Sequence, residues 1–455
     1  MSDQHNRQHQ DGSNIPSRHL PVRPNLNQLR QQAKELLRAF RRGDPAAINE
    51  FKAYHPEYIR RKAGGTPALP VDELNEIKLA DAQLVLARSY QAPSWPRLVQ
   101  ACKLVDAIWR DEINAVRELV MKNPRLLHEE ALIRKSNWGP PMSYAANLGR
   151  DRIIQMLHEL GATDLESALE RAVLQSKIDT ARMLHKMGAL ERFGGRPPEG
   201  ALGGAAYTLS ASGTALVFEL GAEVYDAAGK QLAPVNVVLE TDSRKPIEKH
   251  EILEMYVRYG FKLPDTPIMA LHRGRIDLLE EHLGRDSELL QRTFTHEEIY
   301  PPELGCHDEV LATQGTPLAG TTLLHMCVDY DEIEIGRWLL EKKMDPNVRA
   351  AVDEDGFGGH TALFGTVVSQ PNFWMNYQEK PQVAPFAQLL LDHGADPNAR
   401  ASLRKQLHPG YAPKYDLALQ EYRDITPLAW GKQFHAKVFV SEPAMRLIEL
   451  YGGHE

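Results

Sequence analysis

Residues 320–349 read GTTLLHMCVDYDEIEIGRWLLEKKMDPNVR, and this stretch decides the fold. A threonine stands ahead of an apolar run, where its hydroxyl can cap the free N–H groups of a short helix. Leu339 and Leu340 supply the apolar face of a second helix. Asp345-Pro346-Asn347 then turns the chain away, because aspartate and asparagine bond their own backbone and proline presets φ. Two short helices joined this way cannot bury both faces alone, so such a unit implies neighbours stacked on either side.

Neighbours of the same pattern follow and precede it. Residues 359–400 carry GHTALFGTVVS and FAQLLLDHGADPNAR around an insertion, and 139–162 read GPPMSYAANLGRDRIIQMLHELGA. Small residues such as Ala145 and Ala146 let a short inner helix lie close to others, while Leu389, Leu390 and Leu391 face a core. Gly161, Gly188, Gly221 and Gly394 each follow an outer helix, where a left-handed residue ends it at little cost. These segments resemble the ankyrin repeat, whose pattern runs approximately G-x-T-P-L-H-x-A-A-x-x-G and ends L-L-x-x-G-A-D-x-N. The resemblance implies an all-α fold: an ankyrin-repeat solenoid of helix pairs with finger loops, acting by binding a macromolecule.

Weaker copies occupy 168–189, 201–222, 233–260 and 266–291, with an opening copy at 104–127 and a last one at 424–452. About nine repeats are expected over 101–455, irregular, with long loops at 292–320, 349–360, 370–385 and 399–425. Residues 26–100 do not fit the period. Leu26, Leu29, Ala33, Leu36, Leu37 and Phe40 fall at helical spacing, Asp44-Pro45 opens a second helix, and Ser94-Trp95-Pro96 opens another. QAKELLRAFRRGDPAA with LADAQLVLARSY and PSWPRL resembles a helical module common before bacterial ankyrin arrays. Residues 1–25 read as a disordered polar tail without the apolar core of a secretory signal.

Bulk properties exclude several classes. The 455 residues are 42% hydrophobic and 25% charged, and no apolar run is long enough to cross a bilayer. Three cysteines, Cys102, Cys306 and Cys327, make no disulfide framework for such a chain, so a cytoplasmic setting is expected. Net charge is −8, but 23–62 holds ten Lys/Arg against four acids, a local surplus of six. With almost no interleaved aromatics there and no nucleic-acid motif, a solvated helix face is expected rather than a nucleic-acid site. No phosphate loop, G-x-S-x-G elbow, H-E-x-x-H or C-x-x-C pair is present, so no catalytic residue, metal or cofactor is assigned.

The long loops at 292–320, 349–360 and 399–425 all follow an outer helix and precede an inner one. Stacking therefore gathers them on the finger side, where three neighbouring insertions suggest a built surface. The expected function is a scaffold engaging a protein partner through its concave and finger face, with Tyr300, His307, Asp353, Asp355, Arg404, Tyr411, Tyr415 and Arg423 as contacts. The alternative is a metal-dependent or small-molecule enzyme or binding site where these loops converge, using Cys306 and His307 near His325, Cys327 and His360. Against it, His325 holds the T-P-L-H position, which the resemblance makes structural. Cys327 falls at a small buried position, and His360 where finger residues are commonly exposed. The insertion at 370–385 carries Phe373, Trp374 and Tyr377, which are expected to pack back on the array.

Overall fold

A computed structural model describes residues 18–56, 58–59, 77–241, 243–306, 315–369, 381–407 and 418–455. The chain divides into two compact units, one of Met1–Ala172 with Asp179–Ala189, the other of Val173–Ile178 with Leu190–Glu455.

The first unit begins with helices set by their caps. Asn25 accepts the N–H groups of Asn27 and Gln28 at the start of α1 (Leu26–Arg41), and Asp44 does the same for α2 (Pro45–Tyr54), with proline in the first turn. Ser94 caps α4 (Trp95–Trp109), which follows α3 (Leu79–Ser89). Leu29, Ala33, Phe40, Phe51, Val85, Leu86, Leu98 and Cys102 form one core, in which the Phe40 and Phe51 rings lie 4.1 Å apart. Helix α4 runs unbroken past residue 100, where the sequence reading ends the leading module. Just ahead of the basic stretch Arg18 grips the buried Glu50 through two bonds of 3.0 and 2.9 Å, and within the stretch Arg41 donates to the carbonyl of Ile77.

Helix pairs then repeat. After α4 come α5 (Ile113–Lys122), α6 (Pro141–Asn147), α7 (Asp151–Glu159), α8 (Leu165–Leu174) and α9 (Ile178–Lys186). The second unit continues with α10 (Leu202–Tyr207), α11 (Ala211–Glu219), α12 (Val235–Glu240), α13 (Pro246–Arg258), α14 (Pro267–His272) and α15 (Ile276–Arg285). A single turn, α16 (His296–Ile299), precedes the last six, α17 (Leu323–Tyr330), α18 (Ile333–Glu341), α19 (Ala362–Val367), α20 (Pro385–Asp392), α21 (Pro427–Gln433) and α22 (Glu442–Leu450). Among the described residues these make nine pairs of a short inner and a following outer helix from α4 onward.

Three sets of bonds in the second unit repeat with the period. Thr208 donates to the carbonyl of Leu174, and Thr241 to that of Tyr207, each 34 residues back. At the fingers, Asn347 donates to Gly394 O at 2.9 Å and accepts from Asp396 N at 2.6 Å. Asn398 repeats this one unit later, donating to Gly452 O and accepting from His454 N. The asparagine that closes one repeat is thus consumed by the next, and the preceding aspartates (Asp345, Asp396) bend the turn by accepting its N–H.

The all-α reading has one exception. Residues 399–425 include a two-stranded antiparallel ribbon, β1 (Ala401–Lys405) and β2 (Gln420–Ile425), with a register shift between Ala401 and Leu403. The 349–360 loop extends it through bridges Arg349↔Thr361, Val352↔Gly358 and Gly358↔Ser402. Gly358 has φ +117°, and a Cβ there would stand 2.0 Å from the carbonyl oxygen of Ala351, so the ribbon closes only around glycine. No helix among the described residues is long and apolar enough to cross a membrane.

Candidate interaction surface

The three insertions have different fates. The described parts of the first, 292–306 and 315–320, lie against inner helices rather than projecting from the fingers. Ile299 and Leu304 are buried, and Gln231 donates to Leu304 O. Thr316 then donates to Val368 O at 2.8 Å and accepts from Trp430 Nε1 at 3.1 Å. Every residue of α17 is buried, as are five of the six in α19, so the inner-helix surface here is largely occupied by the chain itself. Tyr300 belongs to this inlay. It is 5% exposed and accepts a hydrogen bond from Tyr330 Oη at 3.1 Å, so it is a core residue and not a surface anchor. Burial of its ring outweighs exposure once a hydroxyl partner is at hand.

The second and third insertions do converge. Arg404 on β1 reaches back to the 349–360 loop, donating to Asp355 at 2.8 Å and Asp353 at 2.6 Å. Asp353 is held in turn, its carboxylate accepting the N–H groups of Asp355 and Phe357. Phe357 is buried beneath two guanidinium groups, that of Arg404 at 4.9 Å from the ring centroid and that of Arg423 at 4.2 Å. Arg423 also pairs with Glu421 at 3.2 Å and keeps more than half its side chain in solvent. Tyr422 turns to the opposite face and packs on Trp430 at 4.8 Å. A two-residue alternation thus separates a charged outer face from a buried one. His307, Tyr411 and Tyr415 lie outside the described residues, as do Phe373, Trp374 and Tyr377.

The histidines and cysteines nearby are interior. His325 Nε2 donates to His360 O at 3.0 Å, its Nδ1 accepts from Thr322 Oγ1 at 2.9 Å, and His360 Nε2 donates to Pro317 O at 3.1 Å. The carbonyl acceptors require a proton on Nε2 of both rings, and burial keeps the rings neutral. Burial drives the pKa of His325 down to about 4 and that of His360 to about 3. His360, read as finger-exposed from its position, is only 2% exposed because Pro317 and α17 close over it. Cys306 and Cys327 are buried, and burial pushes the Cys327 thiol far up, away from the thiolate that a metal needs. Among the described residues no three His, Cys, Asp or Glu side chains are grouped to hold a metal.

Sequence reading missed a second cluster, buried between repeats in the same unit. Lys249 and Glu332 form an ion pair at 2.7 Å with both side chains 3% exposed, and His250 joins Glu332 at 2.9 Å. Arg244 pairs with Asp329 at 2.9 Å and donates to the carbonyl of Thr241. Lys249 and Arg244 sit 4.5 and 4.9 Å from the Tyr330 ring centroid, and His272 abuts its edge. Burial pushes Glu332 upward, but Lys249 and His250 outweigh it and hold the carboxyl below its usual range. Partners 82 to 85 residues apart leave no local pattern to find. The cluster ties α13, α14 and α17 together and leaves one buried ring nitrogen, His272 Nε2, without a hydrogen-bond partner among the described residues.

No protein-family model matches the chain, and no curated protein does. Among solved structures it is similar to the human ASB11 ankyrin repeat domain, with 15% identity over 69% of this chain and 99% of that one, at a TM-score of 0.24. The fold assignment therefore rests on the helix pairs and their repeating bonds.

Proposed function

We propose that this chain is a protein-binding scaffold of ankyrin type that engages its partner through the joined insertions of the second unit. The observation that carries the reading is the platform formed by Arg404, Asp353, Asp355 and the Phe357–Arg423 stack. It sits on loops longer than a helix-pair repeat needs, and its arginines are pinned before any partner arrives. Pre-ordered arginine and aromatic groups lower the entropy cost of association. Described residues of the first insertion, such as Tyr300 and Thr316, bond to the inner helices α17 and α19, whose residues are largely buried. The platform therefore offers the more accessible side chains among the described residues of that region.

Affinity capture with quantitative mass spectrometry tests this. Replacing Arg404 and Arg423 together by Ala should reduce recovery of the bound protein by about tenfold, equivalent to about 1.4 kcal/mol. Helical content should not change. An identical partner profile for the variant and the parent would overturn the reading.

A further inference from the structure

The ribbon has one paired edge and one that faces outward. Ser402 exchanges backbone bonds with Gly358, Gly358 N to Ser402 O at 2.7 Å and Ser402 N to Gly358 O at 3.4 Å. Since Ser402 turns its backbone to that side, Leu403 and Lys405 turn theirs to β2, opposite Tyr422 and Gln420. Alternation then points the N–H and C=O of Glu421 away from β1, and the same holds for Arg423 at the start of the register shift. No backbone partner for either of them on that side occurs among the described residues. Both side chains are exposed.

We propose that β2 is a self-pairing edge, on which a second copy of this chain adds its own β2 antiparallel about a twofold axis through Tyr422. The occupant follows from charge. In that register Glu421 stands opposite the second copy's Arg423, and Arg423 opposite the second copy's Glu421. These are also the positions whose backbone groups point outward, so hydrogen-bonded pairs and ion pairs coincide. An edge of single sign would repel its own copy, and an unprotected edge normally carries charges for that purpose. Opposite charges two residues apart instead make the strand complementary to itself under a twofold rotation. Each arginine leaves its present 3.2 Å pairing within the strand for the equivalent pairing across the axis. The result is a four-stranded sheet, β1–β2–β2–β1. This self-association needs no other protein and goes beyond the partner binding proposed above.

Sedimentation equilibrium of the purified full chain at low salt tests the proposal. A concentration-dependent dimer is expected. Glu421→Arg alone or Arg423→Glu alone should raise the dissociation constant about tenfold, since each places like charges opposite one another. The double exchange Glu421→Arg with Arg423→Glu should restore it to within about threefold. Glu421→Pro, which removes only an outward N–H, should give monomers with an unchanged circular dichroism spectrum. A chain that stays monomeric up to about 100 µM overturns the proposal, as does a dimer indifferent to all of these changes. Glu421→Pro leaves both platform arginines in place, so dimer formation and partner capture are read separately, and either the self-pairing or the platform reading can be overturned independently of the other.

Discussion

His325 and His360 show how burial sets the behaviour of a single side chain. Both rings are held neutral in the folded protein, at about 4 and about 3, whereas in the unfolded chain they titrate near 6.5. His272 is lowered in the same direction by burial and by the Lys249 charge. A folded pKa below the unfolded one means that the unfolded chain binds protons first as pH falls. The stability contributed by these rings is therefore present above pH 6.5 and lost between 6.5 and 4. Asp331 opposes this, because burial raises it to about 6 and its protonation favours the folded state below that pH. His325 and His360 set against Asp331 give a net loss from pH 7 to pH 4.5 on the order of 3 kcal/mol, and His272 acts in the same direction. Urea unfolding at the two pH values measures it, and an unchanged or rising midpoint at pH 4.5 would contradict the burial of these histidines.

At the scale of elements, the helices are held in register by polar bonds placed between apolar faces. The Lys249–Glu332 pair joins α13 to the start of α18, and the cost of burying both charges is met only while both are present. Lys249→Met should therefore destabilise the second unit by about 3 to 5 kcal/mol. Pairing it with Glu332→Leu should recover most of that loss, because the double variant strands no charge. His250, left without its carboxylate, remains partly solvated. A double-mutant cycle by chemical denaturation reads the coupling, and additive effects of the two substitutions would show that the pair is not coupled. The finger asparagines act at the same scale with neutral groups: Asn347 and Asn398 each close one turn and receive the next.

On the scale of the whole molecule, the chain divides into two compact units; Phe40 and Phe51 belong to a buried cluster in the first, and Trp430 and Phe364 are buried in the second. Arrays whose units contact mainly their neighbours lose all-or-none unfolding as they lengthen. Calorimetry should accordingly resolve two transitions. Phe40→Ala should lower only one of them and Trp430→Ala only the other, each by about 3 to 5 kcal/mol of stability. A single transition shifted equally by both substitutions would show that the array unfolds as one cooperative unit.

Local sequence determined the helices, because their signals are local. Capping residues at Asn25, Asp44, Ser94 and Thr426, glycines after outer helices, and the Asp-Pro-Asn turns each act within a few residues. Leucines at helical spacing then identify the face to be buried, which is why the helix pairs could be read in order along the chain. The convergence of the 349–360 and 399–425 insertions was legible for a related reason, since a fixed repeat places equivalent loops on one side. Tertiary structure alone decided what those loops became. β1 and β2 are separated by 14 residues, and Gly358 admits a third segment at the edge of β1. Tyr300 and His360 passed for surface residues until Tyr330 and Pro317 supplied hydrogen-bond partners that made burial affordable. The Lys249–Glu332 cluster was invisible for the most general reason: a buried charge announces itself only beside its partner, and that partner is 83 positions away in the chain.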